Sequence, residues 1–294
     1  MKNKKFYLLI LIIVVLVINA KISLNGATRG LLLWFNIIIP TLLPFMIISN
    51  LIQNIYGSVI KYPTAYIMLV GLLCGYPLGA FSTVSLYKQK RISQKKAYLL
   101  LTFCNISSPS FVISYISLSC LKYNKFPLDI FLLTYLPVAV GLIIIFLSDI
   151  KNRKKTIAIS KDAVKYPVIN LEAIDVAVTN SINNILKLGV YIIIFSTFAA
   201  FINELPIQNQ CIRYILIGST EITTAINCIA ESTLDYNQKL PLILVINAFG
   251  GLSCCVQSSM FFKDSDISTK KYMYGKLVLA ALTMVTWLIY VHVF

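Results

Sequence analysis

The chain has 294 residues, 58% of them hydrophobic and only 13% charged, with a mean hydropathy of +0.80. Soluble domains carry about a quarter charged residues, so this composition excludes a soluble domain and describes a polytopic membrane protein. The net charge of +15 gathers in short loops, "YKQKRISQKK" at 87–96 and "KNRKK" at 151–155; cytoplasmic loops concentrate Lys and Arg in this way, and nucleic acid is not an expected partner.

In chain order, segments apolar enough to cross a hydrocarbon core of about 20 helical residues lie at 6–24, 30–56, 97–121, 127–148, 173–203, 240–262 and 272–294. The first has the basic start and apolar run of a signal peptide, with Ala20 able to end a cleavage site. An uncleaved span is favoured because the downstream orientation works with it retained. Two more segments, 65–87 and 211–230, are apolar but interrupted.

Charge assigns their topology. With Lys2, Lys4 and Lys5 in the cytoplasm, two crossings bring residues 57–64 back inside, and the basic loop 88–96 is also inside. Segment 65–87 therefore starts and ends on one side, as a re-entrant hairpin does, with Gly75, Pro77 and Gly79 at its turn. Spans 97–121 and 127–148 then exit and return, "KNRKK" is inside, and 173–203 exits. Segment 211–230 begins and ends outside and reads as a second hairpin. Irregular backbone at membrane depth is tolerated only where protein buries it or it lines a cavity.

The two halves match in order. Gly75 is followed 30 positions later by Asn105 in "NISSPSF", and Gly218 is followed 29 positions later by Asn247 in "NAFGGLS". The predicted fold is an all-α polytopic membrane protein with about seven full spans, an inverted repeat of two re-entrant hairpins, and discontinuous helices. Secondary transporters use this design and bind their solute near midplane.

In "NISSPSF", Pro109 suits the first position of a new helix and Ser108 its N-cap. Span 97–121 is therefore expected to unwind at Asn105–Ser108 and restart, presenting free N–H groups to an anion. Gly250 and Gly251 permit a similar break. Asn105 and Asn247 serve either as interhelical hydrogen-bonding groups or as ligand groups. Glu221, the one acid well inside a broken apolar segment, reads as a proton- or sodium-coupling residue or a contact to a substrate donor; the other reading has it face the outer aqueous mouth. Asn180, Asn183, Asn184 and Lys187 form a polar stripe on span 173–203, where Lys187 either pairs with an anion or snorkels. The candidate substrate-binding set is Gly75, Tyr76, Pro77, Gly79, Asn105, Ser107, Ser108, Thr220, Glu221, Asn247, Gly250 and Gly251.

Catalysis and metal binding have little to work with. The seven cysteines contain no C-x-x-C pair, the single histidine is His292, and the aspartates lie in loops or near span ends. No converging constellation, cofactor or metal is expected, and the chain does not read as an enzyme.

Taken together, "GLLLWFNIIIPTLLPFMIIS", "GLLCGYPLGA", "NISSPSFVIS", "GSTEITTA" and "NAFGGLSCCVQS" resemble the YlbJ (SpoVV) family of sporulation integral membrane proteins over about residues 26–262. That family carries the nucleoside-recognition, or gate, domain related to part of the concentrative nucleoside transporters. The resemblance implies a multi-pass protein of the cell membrane or outer forespore membrane of a spore-forming bacterium. It also implies dipicolinic acid, a small planar dianion, as the transported solute. The organisation it suggests is an N-terminal span (1–25), a first gate-like repeat (26–126), a connecting span and basic cytoplasmic loop (127–172), a second gate-like repeat (173–262) and a C-terminal span (263–294). A non-transporting sporulation scaffold and a gate-domain transporter of a nucleoside-like solute are the alternatives.

Overall fold

A computed structural model describes residues 2–56, 60, 62–123, 127–151 and 170–293. Residues 57–59 and most of the "KNRKK" loop, read above as cytoplasmic, lie outside the described residues. Among those described, regular structure is entirely helical.

The first helix, α1 (Lys2–Ile18), meets α2 (Ala20–Leu33) at a bend of 94°. From Ala20 the chain stays helical to Tyr56, through a π-helical stretch at Trp34–Ile38 and then α3 (Ile39–Tyr56). The expected loop between 24 and 30 is therefore helix, and the break falls at Asn19. The cause is tertiary: Gly26 and Gly30, one turn apart, are buried against α8 (Leu171–Asn203). A Cβ on Gly26 would stand 2.7 Å from the Thr197 Cα, and one on Gly30 2.8 Å from the Ile193 Cα. Small residues spaced by four let two membrane helices approach backbone to backbone. Further along, Trp34 donates its indole N–H to the Ile185 carbonyl at 2.9 Å and Asn50 donates to the Ser181 hydroxyl at 2.7 Å. The stretch 20–56 thus runs antiparallel to α8.

Next come two short helices, α4 (Pro63–Cys74) and α5 (Leu78–Lys88). At about 1.5 Å per residue neither reaches far beyond half a bilayer. Helix α4 stops at Gly75, whose φ of +70° a side chain would resist. Gly71 and Gly79, on either side of the turn, both pack on the Cys104 carbonyl oxygen, so the arms lie side by side. At their open end the Arg91 guanidinium donates to the Ile60 carbonyl. Helix α6 (Gln94–Phe103) ends at an unwound stretch, Cys104–Ser108, and the helix restarting at Pro109 is π-helical over Phe111–Cys120. Helix α7 (Leu128–Lys151) follows.

Beyond α8, α9 (Gln210–Thr220) and α10 (Ile222–Glu231) form a second short pair, in which Arg213 near the start of α9 lies within electrostatic reach of Cys228 near the end of α10. Helix α11 (Tyr236–Phe249) breaks at Gly250, φ +87°, and α12 (Gly251–Ser259) continues to a 3-10 turn at Met260–Phe262. Helix α13 (Thr269–Val293) closes the described chain.

By length and composition, four segments among the described residues can cross a membrane: Leu128–Ser148, Leu171–Asn203, Tyr236–Phe262 and Thr269–Val293; the bent pair Phe6–Ile18 and Ala20–Ile38 is a fifth if taken as one. The expected count of seven is not reached on this measure. Span 97–121 is split into arms too short to cross, and 6–24 is bent at Asn19. The basic loop 88–96 and the loop 263–268 between α12 and α13 lie on one face: Lys88 donates to the Lys263 carbonyl, Gln94 to the Asp266 carbonyl at 2.9 Å, and the Ser268 amide to the Tyr98 hydroxyl at 2.7 Å.

Because α2 and α8 meet without intervening side chains, Gly30→Leu is expected to destabilise the protein by about 1–3 kcal/mol through overpacking, measured as a fall in the thermal midpoint in detergent. An unchanged midpoint would mean that this contact does not form.

Candidate functional site

Both unwound stretches end at depth, where every freed backbone group needs a partner. The first break finds its partners in the first hairpin. The Tyr76 amide donates to the Ile106 carbonyl at 2.7 Å, and a Cβ on Gly75 would come 2.5 Å from the Ser108 nitrogen. Gly79 leaves room for the backbone of Cys104 and Asn105 in the same way. Glycine at 75 and 79 is thus required by close approach as well as by the turn at Pro77.

Asn105 is the hub. Fully buried, it accepts from the Ala80 amide at 3.1 Å and donates to the Ser258 and Tyr272 hydroxyls, both at 2.7 Å. One amide therefore ties α5, α12 and α13 to the first break. Two residues on, the Ser107 hydroxyl donates to the Asn247 side-chain amide oxygen, Oδ1, at 2.6 Å and the Tyr135 hydroxyl donates to the Ser107 backbone carbonyl at 2.8 Å. The Ser107–Asn247 bond joins the two breaks. Ser108 accepts from the Phe111 amide at 3.3 Å, the capping arrangement expected of it.

The second half is built similarly but with different chemistry. A Cβ on Gly251 would meet the Gly218 and Thr220 carbonyl oxygens at 2.9 and 3.2 Å, so the start of α12 packs on the end of α9. The Thr220 hydroxyl turns back to the Leu216 carbonyl at 3.1 Å. Glu221 is 3% exposed, which excludes the aqueous-mouth reading. Its carboxylate accepts from the Thr223 amide at 3.1 Å, the Thr224 amide at 2.7 Å and the Thr223 hydroxyl. A carboxylate over free amides at a helix start is stabilising, so Glu221 caps α10. Neither Glu221 nor Thr220 hydrogen-bonds to the asparagine cluster among the described residues.

Lys276 carries a charge that sequence reasoning missed. On α13 it is fully buried, donates to the Asn105 carbonyl at 3.0 Å, and lies 4.8 Å from the centroid of the Tyr76 ring. An ammonium has three donors; one hydrogen bond to a described residue is present here, and no described carboxylate pairs with it. The Tyr76 hydroxyl beside Gly250 is likewise buried, with no hydrogen-bond partner among the described residues. Cys254 on α12 lies within electrostatic reach of both Lys276 and Glu221. The signal was a lysine inside the apolar run "YGKLVLAAL", on the same helical face as Tyr272.

Empty space at this junction is small. A cavity of about 10 Å³ lies between Ser107, Asn247, Val138 and Thr283, room for about one water. The centre is closed in this conformation. Asn105→Ala would strand the Ala80 amide and leave the Ser258 and Tyr272 hydroxyls only their bond to each other, with an expected cost of about 1–3 kcal/mol; a thermal midpoint equal to that of the wild type would contradict the hub role.

Comparison with known proteins agrees with the resemblance carried by the motifs. The chain is 24% identical to "Sporulation integral membrane protein YlbJ" of Bacillus subtilis (strain 168) over 318 aligned residues, covering 90% of this chain and 78% of the relative. No family model and no solved structure matches it. An alignment over nearly the whole chain, together with helices long and apolar enough to cross a membrane, describes a multi-pass integral membrane protein similar to the YlbJ sporulation protein.

Proposed function

We propose that the chain moves a small organic anion across the membrane, with dipicolinate, which the family resemblance implies, as its solute. One observation carries this reading: Lys276, a fully buried basic group without a described carboxylate partner, sits where the broken helices meet. A buried charge costs several kcal/mol when unpaired, and ionisable groups at membrane depth mark solute or ion pathways. The helix starts at Leu78, Pro109 and Gly251 also border this region, and each adds the positive end of a helix dipole. A carboxylate would answer that charge. It would accept from Lys276 and from the Tyr76 hydroxyl once the closed centre parts.

In this reading the short pairs α4–α5 and α9–α10 are re-entrant hairpins of an inverted repeat. Each packs against the helix break that follows it, Gly75 on Ile106–Ser108 and Gly251 on the end of α9. Transporters with this arrangement work by moving one repeat against the other around a fixed site. Proton coupling at Glu221 belongs to the same proposal; Tyr115 and Cys254 are the titratable groups within electrostatic reach of it.

Uptake of labelled dipicolinate into liposomes holding the purified protein tests the proposal. Wild-type uptake is expected to saturate, and Lys276→Met to reduce it about tenfold or more, the worth of one charge-assisted hydrogen bond. Its thermal midpoint should stay near the wild type's, since removing a lone buried basic group offsets the donor lost by the Asn105 carbonyl. Wild-type uptake no greater than in empty liposomes, or full uptake by Lys276→Met, would overturn the reading; a scaffold predicts the first. Glu221→Gln keeps an acceptor oxygen for α10 but cannot titrate, so its uptake should lose dependence on an imposed pH gradient. If the dependence survives, Glu221 is a cap and not a coupling site.

A further inference from the structure

The closed centre lies near a second, open cavity. Helix α8 has 33 residues, about 50 Å of helix where about 20 residues cross the hydrocarbon, so part of it stands outside. Lys187, midway along, is exposed and makes no hydrogen bond or ion pair to a described residue. Facing it are the end of α12, the turn Met260–Phe262 and Lys263. Between them is a cavity of about 530 Å³, lined by Asn184, Lys187 and Tyr191 on one wall and by Phe261, Lys263 and Thr269 on the other. Two cations border it, and no acid is among its lining residues; Asp264 and Asp266 sit on the loop beyond. Lys88, donating to the Lys263 carbonyl, adds a third cation at the rim.

This cavity opens on the face that holds the basic loop 88–96, which the Lys and Arg distribution makes cytoplasmic. It is also linked to the centre. Helix α12 runs from the Gly251 break to the cavity wall at Ser259, nine residues or about 13 Å. Helix α5 starts at the same centre, and its Phe81 packs edge-on against Phe261, with ring centroids 5.3 Å apart. That aromatic pair joins the vestibule wall at Phe261 to the hairpin arm that starts at the centre.

We propose that this vestibule is the cytoplasmic loading site for the transported anion. Lys187 and Lys263 hold the two carboxylates of a small planar dicarboxylate, with Tyr191 and Phe261 beside its ring. The anion passes to Lys276 when Phe81 and Phe261 separate. The inference rests on the anion-transport reading above for its solute, and on the cavity for its place. An anionic lipid headgroup shares the same chemistry, so the test separates the two.

Dipicolinate uptake and equilibrium dipicolinate binding are measured for the wild type, Lys187→Gln, Lys263→Gln and the double variant, in liposomes of neutral lipid only. Each single change is expected to raise the half-saturating concentration roughly threefold to tenfold, as expected for a partly exposed charge contact, while the maximal rate stays within about twofold. The neutral diamide of the same ring should not compete. An unchanged half-saturating concentration in the double variant overturns the loading site and leaves transport standing. An effect that appears only when anionic lipid is added also overturns it, in favour of a headgroup seat. Should the wild type show no uptake, the transport reading fails. Binding then decides the vestibule alone: weakened binding in the double variant supports it, and absent or unchanged binding overturns it.

Discussion

A helix that stops inside hydrocarbon leaves carbonyls and amides that no water can satisfy, and the fold is organised around meeting that need at one place. The first break is sealed from three directions. The hairpin turn supplies the Tyr76 amide, the Asn105 side chain reaches α5, α12 and α13, and the Lys276 ammonium takes the Asn105 carbonyl. Glycine at 71, 75 and 79 follows from the same constraint, since a side chain at any of them would push the hairpin off the carbonyl and amide groups it covers. The Ser107–Asn247 bond then couples this break to the second.

The two buried charged groups near the breaks are treated differently, and that difference gives the site its character. Glu221 is satisfied locally by the first turn of the helix it starts. Lys276 is held by one carbonyl and an aromatic face, with donors to spare. The charge left to be answered is therefore positive. The cavity beside the Ser107–Asn247 bond leaves little more room than a water molecule takes, so recognition of a dicarboxylate there requires the two breaks to separate.

Where the backbone must break was legible in the sequence because the signals are local. Gly75–Pro77, Ser108–Pro109 and Gly250–Gly251 interrupt helices through their own φ preferences and missing donors. Asn105 and Asn247 were legible as polar groups at those breaks, but their partners were not. Asn105 meets Tyr272 across 167 positions, and no periodicity carries that distance. "NGATRG" looked like a loop because it is polar and glycine-containing, whereas Gly26 and Gly30 make a surface for α8. Lys276 was hidden because hydropathy averaged over a long span absorbs a single lysine. Glu221 was found for its cost, while its capping role depended on where α10 begins.

The central claim is that solute passes where the two broken-helix pairs meet. Joining Ser107→Cys to Asn247→Cys by oxidation, in a protein whose native cysteines are replaced, tests it most directly. The account predicts that dipicolinate uptake stops on cross-linking and returns on reduction. Full uptake through the cross-linked protein would contradict it.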